Sequence, residues 1–425
     1  MPNKPQDQLV ESQKKFLNSL LPDPMRRVDF RRLWIGMASS YTGDRFQQLA
    51  QTWLVATITS SALAVGWIGI LGSIPLVFMP LGGVFADQVD RRRLLISWQI
   101  VGAVATVIVA ILVWFNQISV WHIYIWSVIN GLIALFSRPA YKVYLTEVVP
   151  SNEVRPAVSI NSITETSAMI LVNAVGSFLL DFLGLVLGFI LNALTYFTAV
   201  GCLWGLKKYS SNRIRKRVNV TQLFRDMSKG FRYLSKKPAL LHPLLLTFIT
   251  ILVCGPVIGL LAAIVENSGG TIVELGLLSA AGSLGALAGA SFAGYRSAGK
   301  HPTLNYAILG LVSASALAVF ALLPTGYLSM IPLAVLGAAA FSQAVWNTSR
   351  VAALAAPIYQ GRMQALTSMA FNLGFSLSMF WGGAAIDKFG LIALVFGASL
   401  LGLLSLVIII RKKLALSKPA ERQNE

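Results

Sequence analysis

Long apolar segments alternate with short polar ones along almost the whole chain. Each apolar segment approaches the roughly 20 residues that a helix needs to cross the hydrocarbon core of a membrane. Most charged side chains lie in the connections between these segments. We number the predicted spans 1 to 12, at residues 30–58, 64–86, 94–114, 119–145, 156–180, 184–206, 241–265, 271–295, 303–323, 326–349, 361–386 and 389–410.

The connection at residues 207–240 is the longest and divides the spans into two sets of six. Its apolar residues recur at helical spacing among basic ones, which predicts an amphipathic helix on the membrane surface. A simple tether and a regulatory role both remain open. The apolar positions are Leu223, Phe224, Met227, Phe231 and Leu234.

We therefore expect an all-α integral membrane protein of twelve transmembrane helices in two pseudo-symmetric six-helix bundles. The bundles are predicted at 30–206 and 241–410, with cytoplasmic tails at 1–29 and 411–425. Apolar residues between Leu9 and Leu21 follow helical spacing. The first tail is therefore either a short helix on the membrane surface or a disordered segment.

Weak internal repetition supports two related halves. An offset of 207 residues pairs Gly82 with Gly289, Phe85 with Phe292, Pro150 with Pro357, Arg155 with Arg362 and Gly176 with Gly383. Near the ends of spans 5 and 11 the register slips by one, so that Asp181 pairs with Asp387. Both aspartates are expected to be solvated helix caps.

Composition agrees with this reading, since 55% of the residues are hydrophobic and 12% are charged. The net charge of +18 could indicate a nucleic-acid partner, but its distribution argues against one. Of the 35 Lys and Arg residues, 33 lie in the tails and connections on one side of the predicted spans or in the parts of the spans nearest to them. Basic loops face the cytoplasm, so both termini are predicted to be cytoplasmic in a plasma or inner membrane. Cys202 and Cys254 fall inside apolar runs and are interpreted as packing residues.

The connection between spans 2 and 3 has the most unusual composition, with two acids and three arginines at Asp87–Arg93 after Gly82 and Gly83. A generic short cytoplasmic turn is the simpler interpretation. The pattern also resembles the loop between helices 2 and 3 of the major facilitator superfamily, in the macrolide-efflux and enterobactin-exporter branch. Gln88 and Asp90 depart from that pattern. The resemblance implies a gating loop of Gly83, Asp87, Arg91 and Arg92, with Asp87 and Arg91 bracing span 11 when the cytoplasmic side is closed.

Polar and ionisable residues within spans are costly and usually face a cavity or a partner. On span 1, Tyr41, Asp44, Gln48 and Gln51 recur on one helical face, beside Arg45. The other candidates for a substrate and proton pathway are Asn130 and Arg138 on span 4, Asn161 and Glu165 on span 5, and Gln343 and Asn347 on span 10. The hypothesis is that Asp44 or Glu165 takes up and releases a proton. The alternative is a permanent polar contact between helices.

The predicted function is secondary-active transport, with proton-coupled export of an amphipathic small molecule such as a drug, macrolide or siderophore. The alternatives are a lysophospholipid or other lipid facilitator, and a non-transporting receptor on the same scaffold.

No phosphate-binding G-x-x-x-x-G-K-[ST] loop or nucleophile–His–acid pattern occurs, so an enzyme is not expected. All three histidines lie at segment ends, so no metal site is predicted. No cofactor is expected beyond the proton gradient. The expected partners are a small-molecule substrate and membrane lipids, with the chain acting as a monomer.

Overall fold

The computed structural model describes residues 22–206, 220–296, 302–323 and 326–417, and every regular element in these ranges is helical. The apolar run between Leu9 and Leu21 therefore lies outside the described residues. Each predicted span coincides with one helix or with consecutive helical segments.

The helices of the first set end close to the predicted boundaries. Span 1 is Val28–Thr59 and span 2 is Ala62–Val77 followed by Met79–Gln88. Span 3 is Arg91–Trp114 and span 4 is Val120–Glu147. Span 5 is Val154–Leu171, a π-helical turn at Val172–Gly176, and Ser177–Leu183. Span 6 is Val186–Trp204.

The second set follows a helix at Val220–Ser235, which we call the linker helix. Span 7 is Pro238–Gly259 followed by Leu261–Asn267, span 8 is Ile272–Tyr295 and span 9 is Pro302–Leu322. Span 10 is Met330–Leu354, span 11 is Pro357–Phe389 and span 12 is Ile392–Ser417.

Ten helical segments in the described ranges are long and apolar enough to cross a membrane, which makes this a multi-pass membrane protein. Spans 1 and 2 do not meet the same criterion, for different reasons. Span 1 is long enough, but its polar residues lower its hydropathy. Span 2 is interrupted at Phe78, since Pro80 lacks the N–H that would bond to the carbonyl of Leu76.

The connections lie at two ends of the bundle. The basic end carries connections 2–3, 4–5, 6–7, 8–9 and 10–11, and the opposite end carries the other six. The largest buried apolar cluster lies toward the opposite end and includes Ala56 and Ile123 from the first set, and Leu260, Ile264 and Leu394 from the second. The opposite end is therefore where the two sets of helices are packed together.

Two helix pairs carry most of the contact between the sets, namely spans 2 and 11 and spans 5 and 8. Glycines allow both approaches. A Cβ at Gly66 would lie 2.7 Å from the Met379 carbonyl oxygen, and one at Gly383 would lie 2.6 Å from the Leu63 Cα. A side chain at Gly276 would overlap the π turn of span 5. These pairs can approach so closely only because their backbones meet at glycine.

The linker helix packs against the beginning of span 11. The rings of Tyr233 and Tyr359 stack with centroids 4.2 Å apart, and Gly230 lies against the side chain of Arg362. The Tyr233 hydroxyl oxygen accepts a hydrogen bond from the Ala356 N–H at 3.1 Å, which lowers the pKa of Tyr233. Leu234 is buried, whereas Phe231 is exposed. The side chains of Leu223, Phe224 and Met227 lie outside the described part of the chain.

Candidate functional site

A cavity of about 400 Å³ lies between the two sets of helices, toward the basic end. Several of its lining side chains are exposed, so it is accessible from that end. It is lined by Met79 of span 2; Arg138, Pro139 and Lys142 of span 4; Leu244, Thr247, Phe248 and Ile251 of span 7; Ala344, Asn347 and Thr348 of span 10; and Gln364, Thr367, Ser368, Ala370, Phe371 and Asn372 of span 11. Its size falls within the range of small-molecule sites.

Two of the predicted pathway residues, Arg138 and Asn347, line this cavity. Asn347 is buried and donates hydrogen bonds to the Thr247 hydroxyl and, at 3.5 Å, to the Pro243 carbonyl. Lys142 also lines the cavity, although it was not among the predicted pathway residues. The polar face of span 11 was missed as well. Gln364, Thr367, Ser368, Phe371 and Asn372 recur at i, i+3, i+4, i+7 and i+8, which is a recognisable helical face.

Asp44 does not line the cavity but contacts span 6. Its Oδ1 accepts hydrogen bonds from the Tyr196 hydroxyl at 2.8 Å and from Asn192 Nδ2 at 3.4 Å. Asn192 Nδ2 also donates to Gln47 Oε1 at 2.5 Å, and Thr106 of span 3 donates to that same oxygen at 3.3 Å. Gln47, Asn192 and Tyr196 were not among the predicted site residues. A signal was present, because Asn192 and Tyr196 are spaced i, i+4 in an otherwise apolar segment.

Glu165 belongs to a second chain of polar contacts. The Tyr141 hydroxyl donates to Asn161 Oδ1 at 2.6 Å, and Asn161 Nδ2 donates to Glu165 Oε1 at 3.0 Å. Tyr41 packs edge-on against the Tyr141 ring, with centroids 6.2 Å apart. Contacts among Tyr41, Tyr141, Asn161 and Glu165 thus join spans 1, 4 and 5 here.

The remaining candidates are dispersed. Arg45 donates to Gln48 on its own helix at 2.7 Å. Gln343 donates to the Tyr306 carbonyl at 3.1 Å, while its own Oε1 and that of Gln51 are buried without a partner among the described residues. Asn130 is half-buried on span 4. The predicted polar face of span 1 is therefore divided between helix contacts and does not form one wall of the cavity.

Arg138 connects the cavity to the polar residues behind it. Its charge acts on Tyr41, Asp44 and Arg45, and the charge of Glu165 acts on Tyr41 and Arg45 as well. Arg45 thus lies within electrostatic range of Asp44, Glu165 and Arg138. A change of charge at one of them alters the potential at Arg138, and therefore at the cavity wall.

The loop between spans 2 and 3 is held by the first set of helices. Arg91 is buried and forms an ion pair with Glu147 at 2.7 Å. Arg92 donates to the carbonyl oxygens of Leu203, at 2.9 Å, and Trp204. The Asp87 side chain lies outside the described part of the chain. Bracing of span 11 by Asp87 and Arg91 concerns the conformation closed at the basic end, so it stays a prediction.

The two glycines of this loop differ in their surroundings. A methyl group at Gly82 would overlap the carbonyl oxygen of Leu135 on span 4. At Gly83 the nearest atom would be Pro139 Cβ, at 4.0 Å. Close approach of spans 2 and 4 therefore depends on Gly82, although Gly83 is the glycine that matches the superfamily pattern.

A further ion pair ties span 1 to the connection between spans 4 and 5. Arg27 Nε and Nη2 donate to the two carboxylate oxygens of Glu153 at 2.8 and 2.9 Å. These hydrogen bonds from Arg27 lower the pKa of Glu153. Arg32 and Arg350 at the same end donate to the carbonyl oxygens of Gly205 and Ala239.

Asp387 at the opposite end is exposed, as expected for a solvated cap, but it also contacts another helix. Its carboxylate receives hydrogen bonds from the Ser61 hydroxyl and the Ala62 N–H, both at 2.6 Å, and from the Leu63 N–H at 3.1 Å. It therefore caps the N-terminus of span 2, where unpaired N–H groups and the helix dipole attract a negative charge. The sequence could not show this contact, because Asp387 and the residues that donate to it belong to different halves of the chain.

The helix arrangement and the cavity between two six-helix sets define a membrane transporter of the major facilitator fold. Residues 21–424 match the family described as transmembrane secretion effector, and the chain belongs to this family of the major facilitator superfamily. It is 22% identical to macrolide efflux protein A of Streptococcus pyogenes over 374 residues, which is 86% of this chain and 91% of that one.

Two further comparisons agree with the assignment. The chain is 24% identical to the uncharacterized MFS-type transporter YfiS of Bacillus subtilis (strain 168), over 89% of this chain and 92% of that one. A crystal structure of a POT family transporter in complex with 5-aminolevulinic acid superposes with a TM-score of 0.70 at 10% identity, covering 92% of this chain and 97% of the other. The family and these relatives are transporters rather than enzymes, as the sequence predicted.

Proposed function

We propose that the protein exports amphipathic small molecules across a plasma or inner membrane by alternating access, with uptake of protons as the energy source. Both termini are placed in the cytoplasm and the chain acts as a monomer. The observation that carries the proposal is the cavity between the two sets of helices, which lies toward the basic end and is lined there by exposed side chains. Apolar packing and the Asp387 contact close the other end.

This asymmetry is what one conformation of an alternating-access transporter requires. The 33 basic residues assigned to one side support the placement of the accessible end in the cytoplasm. Substrate would then enter from the cytoplasm or from the inner leaflet. Release would require separation of spans 2 and 11 at the opposite end and closure of the basic end, where Asp87 and Arg91 are proposed to act.

Proton coupling is assigned to Glu165. The side chain is exposed, so a proton can reach it, and its charge acts on the same residues as the charge of Arg138. Protonation of Glu165 would leave Arg45 opposed by Asp44 alone. The electrostatic potential at Arg138 would then become more positive, and the affinity for a charged substrate at the cavity wall would change. Asp44 is assigned instead to the contact between spans 1 and 6, because Asn192 and Tyr196 of span 6 donate its hydrogen bonds.

Export of a drug-like molecule is favoured by the similarity to macrolide efflux protein A over most of both chains. The apolar part of the lining, including Leu244, Phe248, Ile251 and Phe371, suits a substrate with an extended apolar body. Because the two chains are only 22% identical, the compound itself has to be found by experiment.

The test uses inside-out vesicles with a respiration-generated pH gradient and a pH-sensitive dye. Macrolides, dyes, catechol siderophores and lysolipids are added in turn to vesicles with and without the protein. Compound-dependent loss of the gradient is expected only where the protein is present. Glu165→Gln should weaken the pH dependence of transport, and Asp181→Asn, at an exposed carboxylate outside the cavity, should leave it unchanged.

Three results would change the proposal. Direct uptake of a lysolipid without any loss of the pH gradient would indicate an uncoupled lipid facilitator. A compound that binds but is never translocated would indicate a receptor on the same scaffold. An unchanged pH profile in Glu165→Gln would assign Glu165 to the hydrogen-bonded contact between spans 4 and 5.

A further inference from the structure

The charged side chains that line the cavity are both cationic. They are Arg138 and Lys142, separated by one helical turn on span 4, and none of the described lining residues is acidic. Side chains at i and i+4 lie on one helical face, with their Cβ atoms about 5–6 Å apart. The two cations can therefore reach the same small group in the cavity.

Five other arginines at the basic end already have hydrogen-bond or ion-pair partners within the protein. Arg27 and Arg91 are paired with carboxylates, and Arg32, Arg92 and Arg350 donate to backbone carbonyls. By contrast, neither Arg138 nor Lys142 makes a salt bridge within 4 Å to any carboxylate in the described ranges. Both side chains are exposed to the cavity. Their charge is thus available to a ligand.

The rest of the lining has a different character. Span 7 supplies Phe248 and Ile251, while span 11 supplies hydroxyl and amide groups from Gln364, Thr367 and Ser368. The cationic wall belongs to the first set of helices, and the apolar and neutral polar walls belong mainly to the second. A molecule with an anionic head and an apolar body would contact both sets at once.

We infer that the substrate carries an anionic group, a carboxylate or phosphate, which Arg138 and Lys142 bind while its apolar body lies against spans 7 and 11. This inference rests on the proposal that the cavity is the substrate site. The planar guanidinium of Arg138 matches such a group with two parallel hydrogen bonds, and Lys142 adds a second charge. A cationic amphiphile of the same size would be repelled by both.

Equilibrium binding to the purified full-length protein in nanodiscs tests the inference without requiring transport. The probes are dodecanoate, dodecyl phosphate and lysophosphatidate as anions, and dodecylammonium as the matched cation. The anions are expected to bind more tightly than dodecylammonium. Arg138→Gln and Lys142→Gln should each weaken anion binding by roughly tenfold or more, the usual effect of removing a charge-assisted hydrogen bond. Arg138→Lys should retain part of the affinity.

Arg155→Gln is the matched control, because Arg155 is an exposed cation near the same end but outside the cavity. It should bind every probe like the wild-type protein, and thermal unfolding establishes that all variants are folded. Preference for lysophosphatidate over dodecanoate and dodecyl phosphate would identify a lipid headgroup as the source of the anion. Comparable binding of all three would identify a free amphiphile.

The inference is overturned if dodecylammonium binds as tightly as the anions, if no anion binds, or if both Gln variants bind anions like the wild-type protein. Failure of the proposed function is a separate result. Charge-dependent anion binding without proton-driven transport would support the inferred anionic substrate and contradict only the proposed proton coupling.

Discussion

The carboxylate of Asp387, on span 11, lies 2.6 Å from the backbone nitrogen of Ala62, the first residue of the span 2 helix. The same carboxylate also accepts hydrogen bonds from Ser61 and Leu63. One acidic side chain of the second set of helices therefore caps a helix of the first, at the end of the bundle that is closed. If the two sets separate there, these hydrogen bonds must break.

Asp387→Asn is expected to favour the conformation that is open at the opposite end. Asn keeps one acceptor oxygen but loses the negative charge that faces the helix N-terminus, which costs up to about 1 kcal/mol and shifts a two-state equilibrium up to about 5-fold. Spin labels at Gln117→Cys and Tyr327→Cys, both exposed at that end, would report the change as a longer distance in pulsed EPR. Cys202 and Cys254 are first replaced.

The matched control for this measurement is Asp181→Asn, an exposed aspartate at the same end. It should give the wild-type distance distribution. An unchanged distribution in Asp387→Asn as well would mean that packing between Gly66 and Gly383 and their partners holds this end without help from the carboxylate.

Gly82→Ala is expected to lower the thermal stability of the protein in detergent, whereas Gly83→Ala should have little effect. The added methyl group at position 82 would meet the Leu135 carbonyl, and overpacking of this kind costs typically about 1–3 kcal/mol. At position 83 there is room. Fluorescence-detected size exclusion after heating compares the two variants, and equal melting temperatures would show that span 2 can shift away from span 4.

Asp44→Ala is expected to destabilise the protein by about 1–3 kcal/mol, because the Tyr196 hydroxyl would lose its acceptor within the bundle. Asp181→Ala provides the comparison at an exposed site. Thermal unfolding of both variants measures the effect. If Asp44→Ala unfolds like the wild-type protein but shows an altered pH profile of transport, Asp44 belongs to the proton pathway rather than to helix packing.

The Arg27–Glu153 pair is expected to make stability depend on pH in the acid range. Because hydrogen bonds from Arg27 lower the pKa of Glu153 in the folded protein, this pair contributes stability above the pKa of the unfolded state. That contribution is lost as the pH falls through the folded pKa. Between about pH 6 and about pH 3, Glu153→Gln should therefore lose less thermal stability than the wild-type protein. Arg27→Gln should show the same weakened dependence, and parallel curves for all three proteins would contradict the prediction.

Much of the fold was accessible from the sequence because hydrophobic length is a strong signal in membrane proteins. The cavity was less accessible, since its walls come from spans that are distant in the chain. Arg138 and Asn347, which line the cavity, were among the predicted pathway residues because polar residues in apolar segments are conspicuous. Lys142 was missed because it lies close to a helix end, where a basic residue is ordinarily explained by the interface.

Contacts between helices were the least predictable feature. The face of span 1 was chosen by spacing, yet Gln47, which lies off that face, is the residue buried with Asn192. The partner of a polar side chain depends on which helices are adjacent, and helical periodicity does not determine adjacency. The contact between Asp387 and span 2 was not predicted for the same reason.

The π turn at Val172–Gly176 also bears on the history of the chain. The two halves are in register at an offset of 207 residues through Arg155 and Arg362, but at 206 for Asp181 and Asp387. Since Gly382 precedes Gly383, Gly176 fits either offset, and the change of register therefore falls between Arg155 and Asp181. A single-residue insertion into an α-helix is accommodated as one wider turn of this kind. Between these pairs span 5 thus carries one residue more than span 11, and the extra residue is accommodated where span 5 meets span 8.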